Sequence, residues 1–528
     1  MGQNQMKTIM QGAFILTLAS FVAKLLSAVY RVPFQNLVGD EGFYVYQQVY
    51  PIYGMAMTLA LSGLPQFISK YIAERSTPKA QREGLSQLYP LVLWTSLVLW
   101  GGTFFGAYII AYLMGNMSLV PLVRVVSFAF ILVPPLSFYR GYFQGNLRMV
   151  PTAVSQVAEQ LLRVSVILLA AGAFHLWQMS VYQTGTIAMA GAIVGGGTAW
   201  LILRYYDRRI YGGQLDLTQF PLLGRYDSVL FRRFLVEGGL LFIYSGLLIL
   251  FQLVDSFLIA NSLESYGMTQ QAARIAKGVY DRGQPLVQLG LVAATALSST
   301  FLPALTNYLH QRNQQLFLRS AKIYLRLTAS IALAATAGLI LLLPYINFAL
   351  FKDFAGNDTL VLFVFSVFLM AMIQAYQSIA QSQNRFRSSI RGAGIGLLVK
   401  IFATWILTRW WGTVGASLAT LLGLAVILRF LVRKEVSAIN AFWRERKFGR
   451  TLLFCIGIMI CSILVYYSGI TLLFGVIQHR LSALLTSVGG VAVGIIFFIS
   501  SAIRLRLFTI REWLLLPFGK KILRFKRR

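Results

Sequence analysis

The sequence predicts an all-α integral membrane protein with about fourteen transmembrane helices, on three observations. Of its 528 residues 57% are hydrophobic and only 12% charged, whereas a soluble domain carries about a quarter charged residues. Apolar runs of about twenty residues, each long enough to cross a ~30 Å hydrocarbon core as a helix, recur along the whole chain. The alternating ten-residue pattern of an outer-membrane barrel does not occur.

In order, the runs fall at roughly 10–33, 43–69, 88–114, 118–139, 151–176 and 182–206. After a polar break they resume at about 232–262, 284–309, 323–350, 358–381, 389–408 and 412–432, and two more follow at about 451–475 and 481–503. The first run follows Lys7 as a signal peptide would, but it contains Lys24 and Arg31 and no small-x-small cleavage site, so it is read as the first transmembrane helix. Cys455 and Cys461 share one run and, six residues apart, point to nearly opposite faces, which argues against a disulfide or a metal pair.

Charge is lopsided: 47 Lys and Arg against 17 Asp and Glu, a formal +30. With both termini placed in the cytoplasm, the inward connections collect most of it. They include Lys70, Arg75, Lys79 and Arg82, then Arg140 and Arg148, and basic clusters across 204–233, 429–450 and 504–528. Arg274, Lys277, Arg282, Lys352, Arg409 and Arg480 are the basic residues assigned to outward connections. This is the positive-inside bias of a protein of the cytoplasmic membrane, and a nucleic-acid partner is not needed to explain it. The stretch 505–528 is too charged to span yet rich in Leu, Phe and Trp, as expected of an amphipathic segment on an anionic membrane surface.

An internal repeat organises the spans. Tyr139, Gln144 and Arg148 recur as Tyr376, Gln381 and Arg385 at one offset, which also relates Phe128 to Phe365, Leu132 to Leu369, Leu161 to Leu398 and Arg163 to Lys400. Leu64-Pro65 and Leu302-Pro303 match one residue out of that register. Two pseudo-symmetric six-helix bundles follow, 1–206 and 232–433, joined by a basic cytoplasmic linker over 207–231. Two additional helices occupy 434–503, and the basic tail occupies 504–528.

The run from Phe138 through Tyr139-Arg140-Gly141-Tyr142-Phe143-Gln144-Gly145 to Glu159 and Arg163 resembles the stage V sporulation protein B branch of polysaccharide exporters. That branch belongs to the multidrug/oligosaccharidyl-lipid/polysaccharide exporter superfamily. Leu37-Val38-Gly39-Asp40-Glu41, after the first span, looks like the same branch. A more distant likeness to the superfamily's lipid II flippases lies in Asp281-Arg282, Pro285 and Leu302-Pro303-Ala304-Leu305.

The flippase likeness implies functional basic positions at Lys24, near Arg31 and at Arg282, and an acidic one at Glu41. After Pro51 this chain reads Ile52-Tyr53-Gly54 where the flippase pattern has an arginine, so one basic contact of that pattern is absent. The resemblance implies export of an undecaprenyl-pyrophosphate-linked saccharide by alternating access, with the last two spans offering a groove for the lipid tail. Membrane lipids and envelope-synthesis enzymes are the other expected partners.

The residues allow that chemistry. Lys24, Arg31, Arg124, Arg163, Arg326 and Lys400 lie within spans, where a central charge costs ~2.5–3.5 kcal/mol unless it faces a cavity or a partner. Arg124 and Arg326 lie near span ends and can snorkel to the headgroups. Arg163 follows Glu159 by four residues, so an intrahelical ion pair accounts for both. Lys24 and Arg31 project from one helix face with no acid within a turn, and are read as cavity cations for an anionic pyrophosphate. Arg282 is the third candidate contact. Asp255, the clearest acid in a span, joins Glu41 and Lys400 as candidates for cavity lining or ion coupling.

No GxxxxGK[ST] or HExxH motif occurs, and neither an enzymatic activity, a cofactor nor a metal is expected. Two other readings stay open: a cation-coupled exporter of small amphiphiles that depends on Asp255, and a non-transporting scaffold for envelope-synthesis enzymes.

Overall fold

The computed structural model describes residues 3–75, 77–213, 215–223, 227–474 and 479–515. Among these the chain is helical nearly throughout, with no strand. Twelve helical stretches are long and apolar enough to cross a membrane. Two of them cross twice. The stretch 15–73 turns at Gly39 (φ 72°, ψ −177°), and Phe386–Lys434 breaks at Trp411 and Gly412 (φ 56°, ψ −138°). Positive φ is open to glycine without steric cost, so these two residues divide uninterrupted helical sequence into separate spans. The total is the fourteen crossings read from the sequence.

Some of the prolines mark breaks. The fourth span (117–145) is interrupted by a 3-10 turn, Phe128–Phe130, and restarts in Val133–Gly145 with Pro134 and Pro135 in its first turn. Pro65 lies in the first turn of Leu64–Ala73, the later segment of the second span, directly after a π-helical turn, Leu59–Gly63. Pro303 stays inside a continuous helix, Val292–His310.

The repeat is written in the backbone as well as in the side chains. Helix Val120–Ser127 corresponds to Asn357–Val364, and the helix ending at Gly145 corresponds to the one ending at Ser382. Each later helix is closed by the same terminator. Leu147 (φ 60°) and Asn384 (φ 55°) are both left-handed, and the Arg148 and Arg385 amides donate to Phe143 O (2.7 Å) and Ala380 O (2.8 Å). All of these pairs keep the offset found in the sequence.

The chain divides into two compact units, residues 1–281 with 404–412 and residues 282–403 with 413–528. In the first, the first span (3–38) and the fifth (Met149–Leu176) run side by side in the same direction. Ser20 donates to Gln156 (3.0 Å), and one register further Arg163 donates to Ser27 (3.3 Å). The sixth span (181–210) lies on the back of the fifth. Ideal Cβ atoms at Gly191 and Gly195 would stand 3.0 Å from Arg163 O and 2.6 Å from Glu159 O, so these glycines serve close helix packing.

In the second unit the described part of the tail folds against protein. Phe508 and Trp513 are buried, and Glu512 reaches Arg326 at 3.4 Å, so Arg326 is ion-paired with Glu512 and Glu445 rather than snorkelling. Residues 516–528 of the expected amphipathic tail lie outside the described residues. Cys455 is buried and Cys461 exposed, on different faces of one helix.

Candidate anion-binding site

The second span carries Tyr46, Tyr50 and Tyr53 at helical spacing, which puts three phenols on one face. Tyr30, at the junction of helices Gln3–Val29 and Arg31–Thr58, faces them, and its hydroxyl lies 3.0 Å from that of Tyr46. Two arginines enter this aromatic wall. Arg31, fully buried, sets its guanidinium 4.6 Å from the Tyr50 ring centre. Arg163, 1% exposed, stacks 4.6 Å from Tyr53 and 5.4 Å from Tyr30.

No acid forms an ion pair with either arginine among the described residues, although Asp281 lies within electrostatic reach of Arg31. All three Arg31 guanidinium nitrogens are buried without a hydrogen-bond partner among the described residues, as are Nε and Nη1 of Arg163. Arg163 uses Nη2 alone, donating to Gln160 Oε1 (2.8 Å) and to Ser27. The acid expected to neutralise it is occupied elsewhere. Glu159 takes a 2.6 Å ion pair from Arg140, which also donates to Ala60 O (3.2 Å) and lies close to Ser155 Oγ (3.4 Å). Two sequence expectations are thereby corrected. Arg140 is a fully buried residue of helix Val133–Gly145 rather than an inward loop cation, and Glu159 pairs across two spans rather than along its own helix.

Lys24 lies one helical turn before Ser27. Its side chain is exposed although protein atoms crowd around its ammonium group, and no described residue pairs with it. Thus the two cations expected on one face of the first span occupy different settings: Lys24 exposed, Arg31 sealed.

The remaining candidates are already engaged. Arg282, in the second unit, is fully buried and holds Asp353 in a two-pronged pair of 2.6 and 2.9 Å, with Asn347 Oδ1 at 3.5 Å. Burial opposes ionisation of Asp353, but the hydrogen bonds from Arg282 prevail and hold its carboxyl below the usual range. Lys400, also fully buried, donates to Thr420 Oγ1 at 2.6 Å. Asp255 accepts from Tyr280 (3.2 Å) and lies within electrostatic reach of Asp281, which is paired with Lys277 at 2.6 Å. Lys277 was expected in an outward loop. It is instead a buried member of helix Gln270–Asp281, on the face that also buries Ala273, Gly278, Tyr280 and Asp281. Glu41 is half-buried just beyond the Gly39 turn.

Arg163 is the residue sequence reasoning passed over, because a glutamate four residues earlier offered a sufficient local explanation. The signal that could have found it is Arg140, a second claimant for that glutamate.

Residues 9–309 match the family described as polysaccharide biosynthesis protein. The chain belongs to that family. It is 34% identical to the uncharacterized membrane protein YabM of Bacillus subtilis, over 98% of this chain and 97% of the relative. It is 25% identical to the lipid II flippase MurJ of the same organism, over 79% of this chain and 80% of the relative. A solved structure of lipid II flippase MurJ in an inward closed conformation shares the fold, with a TM-score of 0.62 at 15% identity. That match covers 93% of this chain and 99% of the solved one. The protein is therefore a multi-pass protein of the bacterial cell membrane, and the relative whose name states an activity, MurJ, is a flippase rather than an enzyme.

Proposed function

We propose that this protein is a flippase that moves an undecaprenyl-pyrophosphate-linked saccharide across the membrane by alternating access. One observation carries the reading: an exposed lysine and a sealed arginine, Lys24 and Arg31, lie within one span, and among the described residues no acid forms an ion pair with either. A buried, unpaired charge is costly, and such residues inside a span face a pathway or await a partner. The anion they suit is a pyrophosphate, for which arginine offers a planar fork and lysine a point charge. Arg282 is the third contact, available once its pair with Asp353 opens. Ion coupling, where it operates, falls to Asp255, with Glu41 and Lys400 as cavity members. Both termini face the cytoplasm in this reading, which the distribution of basic residues supports. Outward transfer of the anion is then favoured by about 2.3 kcal/mol per charge per 100 mV of inside-negative potential.

Native mass spectrometry of the purified protein with lipid II, other polyprenyl-pyrophosphate saccharides and cardiolipin tests the reading. The wild type is expected to retain one pyrophosphate lipid selectively. Lys24→Glu should lose it at least tenfold, about 1.4 kcal/mol or more. Retention no better than cardiolipin, or undiminished by Lys24→Glu, would sink the assignment.

A further inference from the structure

We infer that Arg163, from the fifth span, is a further ligand for the transported anion, holding one phosphate of a diphosphate while Arg31 holds the other. The inference rests on the flippase reading above and adds to it a residue and a stoichiometry.

Arginine cannot shed its proton in a protein, so burial leaves Arg163 charged whatever its surroundings. Its natural counter-ion, Glu159, is held by Arg140 at 2.6 Å. The helix cannot rotate to another acid, because the sixth span clamps it from behind: Gly195 leaves no room for a side chain between the spans at Glu159 and Arg163, and Gly191 none at Arg163. This clamp directs the guanidinium towards the first and second spans. There it meets Tyr30 and Tyr53, in the same tyrosine wall that receives Arg31 at Tyr50.

Two like charges thus share one aromatic enclosure, with Nε and Nη1 of Arg163 and all three nitrogens of Arg31 unpartnered. Phenol rings stack on these guanidinium groups and the Tyr30 and Tyr50 hydroxyls are polar neighbours, but no carboxylate forms an ion pair with either arginine among the described residues. A ligand that satisfies both forks needs two adjacent anionic groups, each able to accept a bidentate pair, and a diphosphate has that form. Lys24, exposed one turn from the Ser27 hydroxyl that touches Arg163, marks the approach. Ligand entry requires the first span to move, since both guanidinium groups are sealed in this conformation.

A purely structural role for Arg163 makes a different prediction. If its stacking holds the spans together, its loss weakens the empty protein. If it waits for an anion, replacing it removes an uncompensated charge and leaves the empty protein at least as stable.

Thermal unfolding of the full chain in detergent, with farnesyl pyrophosphate or inorganic pyrophosphate as probe, distinguishes these roles. Wild type is expected to be stabilised by farnesyl pyrophosphate. Arg163→Gln should weaken that probe's affinity at least tenfold without lowering the ligand-free midpoint, and Arg163→Lys should recover part of the affinity. Undiminished affinity in Arg163→Gln, or a lowered ligand-free midpoint, overturns the role of Arg163 while leaving Lys24 and Arg31 in place. Stabilisation of wild type by inorganic pyrophosphate but not the lipid overturns the headgroup as source and keeps the diphosphate chemistry. No stabilisation by either probe overturns both this inference and the flippase reading.

Discussion

Glu159→Gln is expected to destabilise the protein by about 3–5 kcal/mol, read as a fall in the unfolding midpoint in detergent. Arg140 is fully buried, and Glu159 is its only acidic partner among the described residues. Removing the carboxylate leaves a permanent cation with Ala60 O, 3.2 Å away, and a distant Ser155 hydroxyl. Breaking one side of a buried pair costs more than deleting both sides, because the surviving charge is stranded. Arg140→Met combined with Glu159→Met should therefore be more stable than Glu159→Gln alone. A double variant that is the less stable of the two would show that the two residues do not act as a pair.

Gly278→Ala carries the second large effect. Gly278 lies on the helix that presents Lys277 and Asp281, and packs against the turn between the first two spans. A Cβ there would stand 2.2 Å from the Asp40 carbonyl oxygen and 3.0 Å from its carbon. Both are backbone atoms of the turn set by Gly39, so no side-chain rotation relieves the clash. Overpacking of this kind costs about 1–3 kcal/mol, and the helix is expected to lift away from the turn. Faster amide exchange over 36–44 and 270–281, with other spans unchanged, would report that movement. Unchanged exchange in both segments would contradict the packing described.

The fold was legible in the sequence because a bilayer fixes helix length, and fourteen apolar runs have few other uses. The repeat was legible because polar residues at helix ends hold a register that apolar residues blur. Tyr139 and Tyr376 keep that register, as do the left-handed residues Leu147 and Asn384 that follow the same two helices.

The site was legible only in part. Lys24 and Arg31 stand out because nothing near them in sequence could neutralise them. Arg163 and Arg140 did not, because ion pairing inside a bundle is decided between spans. Glu159 lies four residues before Arg163 and nineteen after Arg140, yet it pairs with Arg140. Loop boundaries misplaced Arg140 and Lys277 for a related reason. Each is a charged residue on a helix whose partner, Glu159 or Asp281, makes burial tolerable. Arg282 was legible as a residue, but its pairing with Asp353 seventy-one positions later was not.

The most direct test of the central claim is movement itself. Proteoliposomes holding the purified protein and a fluorescent polyprenyl-pyrophosphate saccharide would be followed by quenching of the outer leaflet, with wild type beside Lys24→Glu and Arg31→Gln. The account predicts that wild type makes nearly all of the lipid accessible to the quencher, while both variants stop at the fraction first present outside. Equal accessibility in protein-free vesicles and in wild type, or full movement by both variants, would contradict it.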